Sequence, residues 1–171
     1  MKSNGLVKKI VGAVLSLLAF IGLALPFFVV TWSAGDESHS ETYTWQEWLD
    51  LIKSGNEVGS EDLAGWNASK IFYIILFVVL SLVAVALIVS IFVDNKILAQ
   101  VTKWVAVVGL IVAILSIVTM LIGGIMLSSS NNIGSLTYLP SAGAIVVSLL
   151  GIVGTSVAIS ACSAKKAKKS K

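Results

Sequence analysis

Asp36, Glu37, His39 and Glu41 set three carboxylates and one imidazole within six residues, donor types that a divalent cation accepts. Their spacing is not that of an EF-hand loop, and the stretch holds no second His and no Cys. The stretch reads as a solvated polar segment, and neither a metal nor another cofactor is expected. Asn67-Ala68-Ser69 fits a glycosylation acceptor, but it abuts a long apolar run, where a glycan is not expected. The lone Cys162 excludes an internal disulfide and reads as a small packing residue. No nucleophile–base constellation, Gly-rich phosphate loop or pair of carboxylates within an apolar run is found, so the chain is not expected to be an enzyme.

What must carry these residues is unusually apolar. Mean hydropathy is +0.96, with 57% hydrophobic and 12% charged residues. Four blocks of 22 to 24 residues, Ile10–Thr31, Ile71–Val93, Trp104–Leu127 and Leu139–Cys162, contain no Asp, Glu, Lys, Arg or His. At about 1.5 Å per helical residue, each spans a hydrocarbon core of roughly 30 Å. The expected fold is an all-α membrane protein, an antiparallel four-transmembrane-helix bundle forming one domain over residues 1–171. The first block is read as a retained helix: a signal-peptide core is usually about 7–15 residues, and Trp32 suits a cut after Ala34 or Gly35 poorly.

Lysine distribution orients the chain, since there is no Arg. Lys2, Lys8 and Lys9 precede the first block, Lys96 and Lys103 separate the second and third, and Lys165, Lys166, Lys168, Lys169 and Lys171 follow the fourth. The loop over residues 33–69 holds eight acids against Lys53. The positive-inside rule then places both termini and the basic tail, residues 163–171, in the cytoplasm and the acidic loop outside. The tail is expected to meet anionic inner-leaflet lipid, and nucleic acid is not expected as a partner.

In lipid, helices associate through close van der Waals packing at small residues. The fourth block offers Ala144, Ser148, Gly151, Thr155, Ala158 and Cys162, and the third Ala106, Gly109, Ala113, Ser116, Met120 and Gly123, both at alternating spacings of three and four. Gly12, Ser16 and Ala19 make a shorter stripe in the first. The second, with bulky Phe72, Ile74, Ile75, Phe77, Val78 and Val79, reads as the most lipid-exposed. Pro140 suits a first helical turn, and Pro26 is expected to kink the first helix near its outer end.

Within the loop, Thr42–Gly55 reads TYTWQEWLDLIKSG. Thr44 with Glu47 is a capping-box pattern, Gly55 a stop signal, and Trp45, Trp48, Leu49 and Ile52 form one apolar face at i, i+3, i+4 and i+7. A short amphipathic helix is expected here, lying over the bundle ends or against a partner, with Ser60 as the cap of a further turn. Trp32 and Trp66 belong to the same outer region. Leu25-Pro26-Phe27-Phe28, the Gly65-Trp66 lead-in to the second helix and Gly134 with Tyr138-Leu139 before the fourth resemble a group of small bacterial four-helix membrane proteins. That resemblance implies topology and residence in the bacterial cytoplasmic membrane, not an activity. The layout also resembles the claudin-type tetraspan plan, although the Gly-Leu-Trp signature with two following cysteines is absent. The functional expectation is a non-enzymatic scaffold or modulator that meets a protein partner or a second copy through Trp45, Trp48, Leu49, Ile52, Trp32 and Trp66. The alternative is a small oligomeric channel or transport accessory lined by the hydroxyl and glycine faces of the last two helices.

Overall fold

The computed structural model describes residues 3–34, 36–58, 64–130 and 135–163. The basic tail beyond residue 163, Ser60 and Gly134 lie outside this set. Described in chain order are α1 (Ser3–Leu18), a 3-10 segment (Ala19–Ala24), β1 (Phe28–Ala34), β2 (Glu37–Tyr43), α2 (Trp45–Val58), α3 (Ala64–Phe92), α4 (Lys96–Leu127), β3 (Ser129–Ser130), β4 (Ser135–Pro140) and α5 (Ala142–Ser163). Four helical spans, Gly5–Ala24, Ala64–Phe92, Lys96–Leu127 and Ala142–Ser163, are long and apolar enough to cross a membrane.

Their bounds differ from those expected. The first span ends at Ala24, not at Thr31, and Phe28–Ala34 is a β-strand. Pro26 therefore separates helix from strand and does not kink a continuing helix; a proline removes an amide donor and disfavours helix in the residue before it, and the β-branched Val29-Val30-Thr31 that follows suits a strand. α3 begins at Ala64, seven residues before the apolar block. α4 begins at Lys96, because Asn95 Oδ1 accepts from the amides of Ile97 (2.8 Å) and Leu98 (3.4 Å) and caps it there. Leu139 and Pro140 close β4, and α5 starts only at Ala142. Its free N-terminal amides are met by the chain near Pro26: Ser141 N donates to Phe27 O (3.0 Å) and Gly143 N to Pro26 O (2.7 Å).

The loop following the first span is not irregular chain around one helix. β1 pairs antiparallel with β2 on one side and with β4 on the other, in the order β2-β1-β4-β3. The register opposes Phe28 to Tyr43 and to Pro140, Val30 to Glu41 and to Tyr138, and Trp32 to His39 and to Leu136. Alternation places Phe28, Val30, Tyr43 and Tyr138 on one face, and all four join the core; Thr31, Ser33, Ser40 and Ser135 take the other, paired as Thr31–Ser40 (3.0 Å between hydroxyls) and Ser33–Ser135 (2.7 Å).

The long helices run in alternating directions. Gly65 near the start of α3 lies against Gly123 near the end of α4, and Gly109 lies between Val79 and Thr155. Gly151 meets Ala113, Gly154 meets Ser16, and Gly12 meets Leu87 and Ala158. Ala113, Ser116, Ala144, Ser148 and Thr155 are all buried. The hydroxyls in these seams bond mainly to their own helices, Ser116 to Val112 O (2.8 Å) and Thr155 to Gly151 O (2.6 Å), while Ser69 reaches across to Ser116 O (3.4 Å). The second span is not the most exposed: its apolar window is 39% buried against 28% for the first. Its bulky residues Leu76, Leu80, Val83 and Leu87 are fully buried, and Leu76, Val79 and Leu87 fit against the glycines of neighbouring helices.

Gly143 tests how close this packing is. An added Cβ would stand 2.5 Å from Gly22 O and 3.0 Å from the carbonyl oxygens of Leu25 and Pro26, all backbone atoms, whereas at Gly151 the nearest neighbour would be Ala113 Cβ at 3.4 Å. Thermal unfolding in detergent should therefore show Gly143→Ala losing about 1–3 kcal/mol and Gly151→Ala changing by no more than about 0.5 kcal/mol.

Candidate functional site

The end of the molecule that carries the sheet is assembled around one ring. Phe27, fully buried, has its centroid 4.9 Å from Trp45, 5.5 Å from Trp48 and 4.9 Å from Tyr73. Phe28 stands edge-on to Trp66 at 4.6 Å and stacks on Tyr138 at 5.9 Å. Trp48 and Trp66 meet at 6.4 Å, and the cluster runs on through Trp45 to Phe77 (5.6 Å) and from Phe77 to Phe20 (5.2 Å). Edge-to-face aromatic pairs of this kind add about 0.5–1.5 kcal/mol each beyond the area they bury.

α2 is held over the cluster by its sequence. Thr44 N donates to Glu47 Oε2 (2.7 Å), Thr44 Oγ1 donates to the same oxygen (2.9 Å), and Glu47 N reaches back to Thr44 Oγ1 at 3.4 Å. The helix runs past Gly55 to Val58. Its apolar face points down: Trp48 and Ile52 are fully buried, and Trp45 and Leu49 are half-buried against them. Gln46, Glu47, Asp50 and Lys53 are exposed. Of the six residues expected at a partner surface, Trp66 also lies inside, 3% exposed on the first turn of α3, and Trp32 alone stands well out, at 47%. The residues not anticipated in this cluster are Phe27, Phe28, Tyr43, Tyr73 and Tyr138. The signal for Tyr73 is its place seven residues after Trp66 on one face of α3; Phe27 and Phe28 follow the proline that ends the helix.

Two polar atoms stay unmatched in the cluster. Trp48 Nε1 and Trp66 Nε1 are buried and find no acceptor among the described residues, each costing about 1–3 kcal/mol. The Tyr73 hydroxyl does find partners, Ser148 Oγ at 3.1 Å and Ala144 O at 3.4 Å.

Outside the cluster the chemistry is superficial. Asp36, Glu37, His39 and Glu41 lie exposed along β2 and the residue before it, and no group of three or more metal-ligating side chains comes together among the described residues. His39 stacks on Trp32 with centroids 5.9 Å apart and planes 14° from parallel. Tyr43 donates to Glu41 Oε2 (2.8 Å), which raises the phenol above its ordinary pKa. Bonds from the Thr44 amide and hydroxyl lower the Glu47 carboxyl below its usual value. Ser69 of the Asn67-Ala68-Ser69 triplet is fully buried within α3.

The opposite end of the helices is basic. Lys8 donates to Ser160 Oγ (2.9 Å) and Lys9 to Ser90 O, beside the turn that joins α3 to α4. Lys96 and Lys103 share that end, on the first two turns of α4. Among known proteins, no family model and no curated relative matches this chain.

Trp48→Ala should lower stability by about 3–5 kcal/mol, whereas Trp48→Phe, which keeps most of the ring area and removes the unmatched N–H, should cost less than half as much in the same denaturation experiment. Because the folded pKa of Glu47 is depressed, its capping contribution is present above the ordinary carboxylate pKa and is lost as pH falls through the lowered value. Limited proteolysis of α2 should accordingly accelerate on acidification through that window in the native chain, and much less so in Glu47→Gln.

Proposed function

We propose that this protein is a non-enzymatic integral membrane protein, an antiparallel four-helix membrane bundle resident in a bacterial cytoplasmic membrane, that presents a rigid outer platform to another protein as a scaffold or modulator. The observation that carries this reading is the platform itself: a sheet drawn from both outer loops, sealed by α2 onto a shared aromatic core, with the outer edge of β2 unpaired by any strand among the described residues. Lys8, Lys9, Lys96 and Lys103 gather at one end and Glu37, Glu41, Glu47 and Asp50 at the other, which supports cytoplasmic termini and an outward-facing sheet.

The contact surface this favours is not the Trp45–Trp48–Ile52 face, because those side chains are taken up by the protein's own core. It is the exposed edge strand Glu37–Tyr43, with Trp32 beside it and the acidic face of α2 above. An open strand edge offers unpaired amides and carbonyls to an extended segment of a partner, or to the same strand of a second copy. Among the described residues of this end, Asp36, Glu37, His39 and Glu41 lie exposed on or beside β2 and Glu47, Asp50 and Lys53 on the outer face of α2, a charge spread over a surface that supports binding over catalysis. A small oligomeric channel would need the hydroxyls and glycines of α4 and α5 to face a pore; Thr102, Gly109, Ser116, Ser148, Gly151 and Thr155 are instead buried in helix seams, and Ser156, Ser160 and Ser163 are the exposed hydroxyls of α5 among the described residues.

A photo-crosslinking residue at Ser38 or Ser40, introduced into the chain in its native membrane, should give a reproducible adduct, at twice the chain mass if the partner is a second copy. The same residue at Phe92, exposed at the far end, should not. Absence of any adduct from β2, with normal protein levels, argues against the platform reading. A cysteine placed in the lysine tail should stay unlabelled by an impermeant maleimide added to intact cells.

A further inference from the structure

The basic end carries a feature separate from the platform. A cleft of about 390 Å³ opens between the start of α4 and the end of α5, lined by Lys96, Gln100, Lys103 and Trp104 from the first and Cys162 and Ser163 from the second. That volume falls at the low end of small-ligand sites, roughly 300–1,000 Å³. Lys96, Gln100 and Lys103 recur at i, i+4 and i+7, so they share one face of α4. Lys8 and Lys9 are engaged with Ser160 and Ser90, and the two cleft lysines are not drawn into those contacts. Lys103 is half-buried, and the described lining of the cleft includes no carboxylate. The amides of Ile97 and Leu98 are taken by Asn95, so positive charge in the cleft comes from the side chains.

Away from the turn, Trp104 at 62% exposure is followed along α4 by exposed Val108 and Ile111, with Val101 one turn before it. These four fall at i, i+3, i+7 and i+10, an apolar stripe running from the basic cleft along the first half of the helix. A cationic pocket continuous with an exposed apolar track matches one chemical class, a molecule with an anionic head and hydrocarbon tails.

We infer that the cleft is a stoichiometric headgroup site for one anionic phospholipid. Lys96 and Lys103 take the phosphodiester, Gln100 offers its amide to the headgroup, and the acyl chain lies along Trp104, Val108 and Ile111. This rests on the proposed membrane placement of the helices but goes beyond the diffuse attraction of the lysine tail, since it assigns a defined pocket and a single lipid.

The full chain, purified in a neutral detergent, can be titrated with phosphatidylglycerol or phosphatidylcholine and bound lipid counted by native mass spectrometry. One phosphatidylglycerol should be retained in preference to phosphatidylcholine. At about fivefold per lysine, Lys96→Gln with Lys103→Gln should weaken that retention about twenty-five-fold, and Lys96→Arg with Lys103→Arg should restore it, showing that the fold is intact. Neutralising the five tail lysines should leave most of it. Equal retention of the two lipids, loss that follows the tail and not the cleft, or displacement by inorganic phosphate alone would each overturn the proposal. Binding in detergent does not depend on which way the chain is inserted, so a negative result here is distinct from failure of the maleimide test of orientation.

Discussion

At Pro26 and Phe27 the chain leaves a helix and enters a strand, and three distant parts of the molecule are fastened to those two residues. The Phe27 amide donates to Tyr43 O (2.7 Å), which aligns β2 with β1 and so delivers Thr44 to the start of α2. The carbonyls of Pro26 and Phe27 receive the first amides of α5, groups that a helix end otherwise leaves to water. The Phe27 ring is the hub to which Trp45, Trp48 and Tyr73 pack. Each of these connections needs the chain to stop being helical at this point, and proline enforces that by lacking an amide hydrogen.

The two halves of the molecule are held by different physics. The long helices are apolar enough to cross a membrane, and in lipid burying another methyl gains little, so that contact distance decides stability. That is why glycines recur where one backbone meets another, at Gly65 with Gly123 and at Gly22 with Gly143. At the sheet end, aromatic area and backbone hydrogen bonds take over. The two regimes meet on α3, whose first residues supply Trp66 and Tyr73 to the aromatic core and whose later residues fill glycine gaps in α1 and α4.

Much of this architecture was legible in the chain because the signals are local. A run of twenty or more uncharged residues announces a membrane-length helix wherever it occurs, and the Thr44–Glu47 spacing with apolar residues at i, i+3, i+4 and i+7 announces α2 and its buried face. The sheet was not legible. Val29, Val30 and Thr31 continue an apolar run that began in helix, so the change of period is hidden, and the Ser- and Thr-rich β2 has no hydrophobic alternation to report. The partner of β1 on its other side is β4, a hundred residues away, and no local pattern encodes that pairing. Pro26 followed by β-branched residues was the one clue. The apolar face of α2 suited either the helix ends or a partner on sequence grounds alone; Trp48 and Ile52 are buried in the protein's own core, and without the sheet nothing showed that Phe27 and Phe28 would complete their enclosure.

The pairing of β1 with β4 has a mechanical consequence. β1 is continuous with the first span and β4 leads directly into α5, so the hydrogen bonds between them stitch the beginning of the chain to its last helix. With α3 bound into the same aromatic knot, the long helices are clasped at one tip, like the ribs of a folded umbrella gathered at the ferrule. At the other tip a three-residue turn joins α3 to α4 and side chains make the ties, Lys8 to Ser160 and Lys9 to Ser90, so any breathing of the assembly is expected to be larger there.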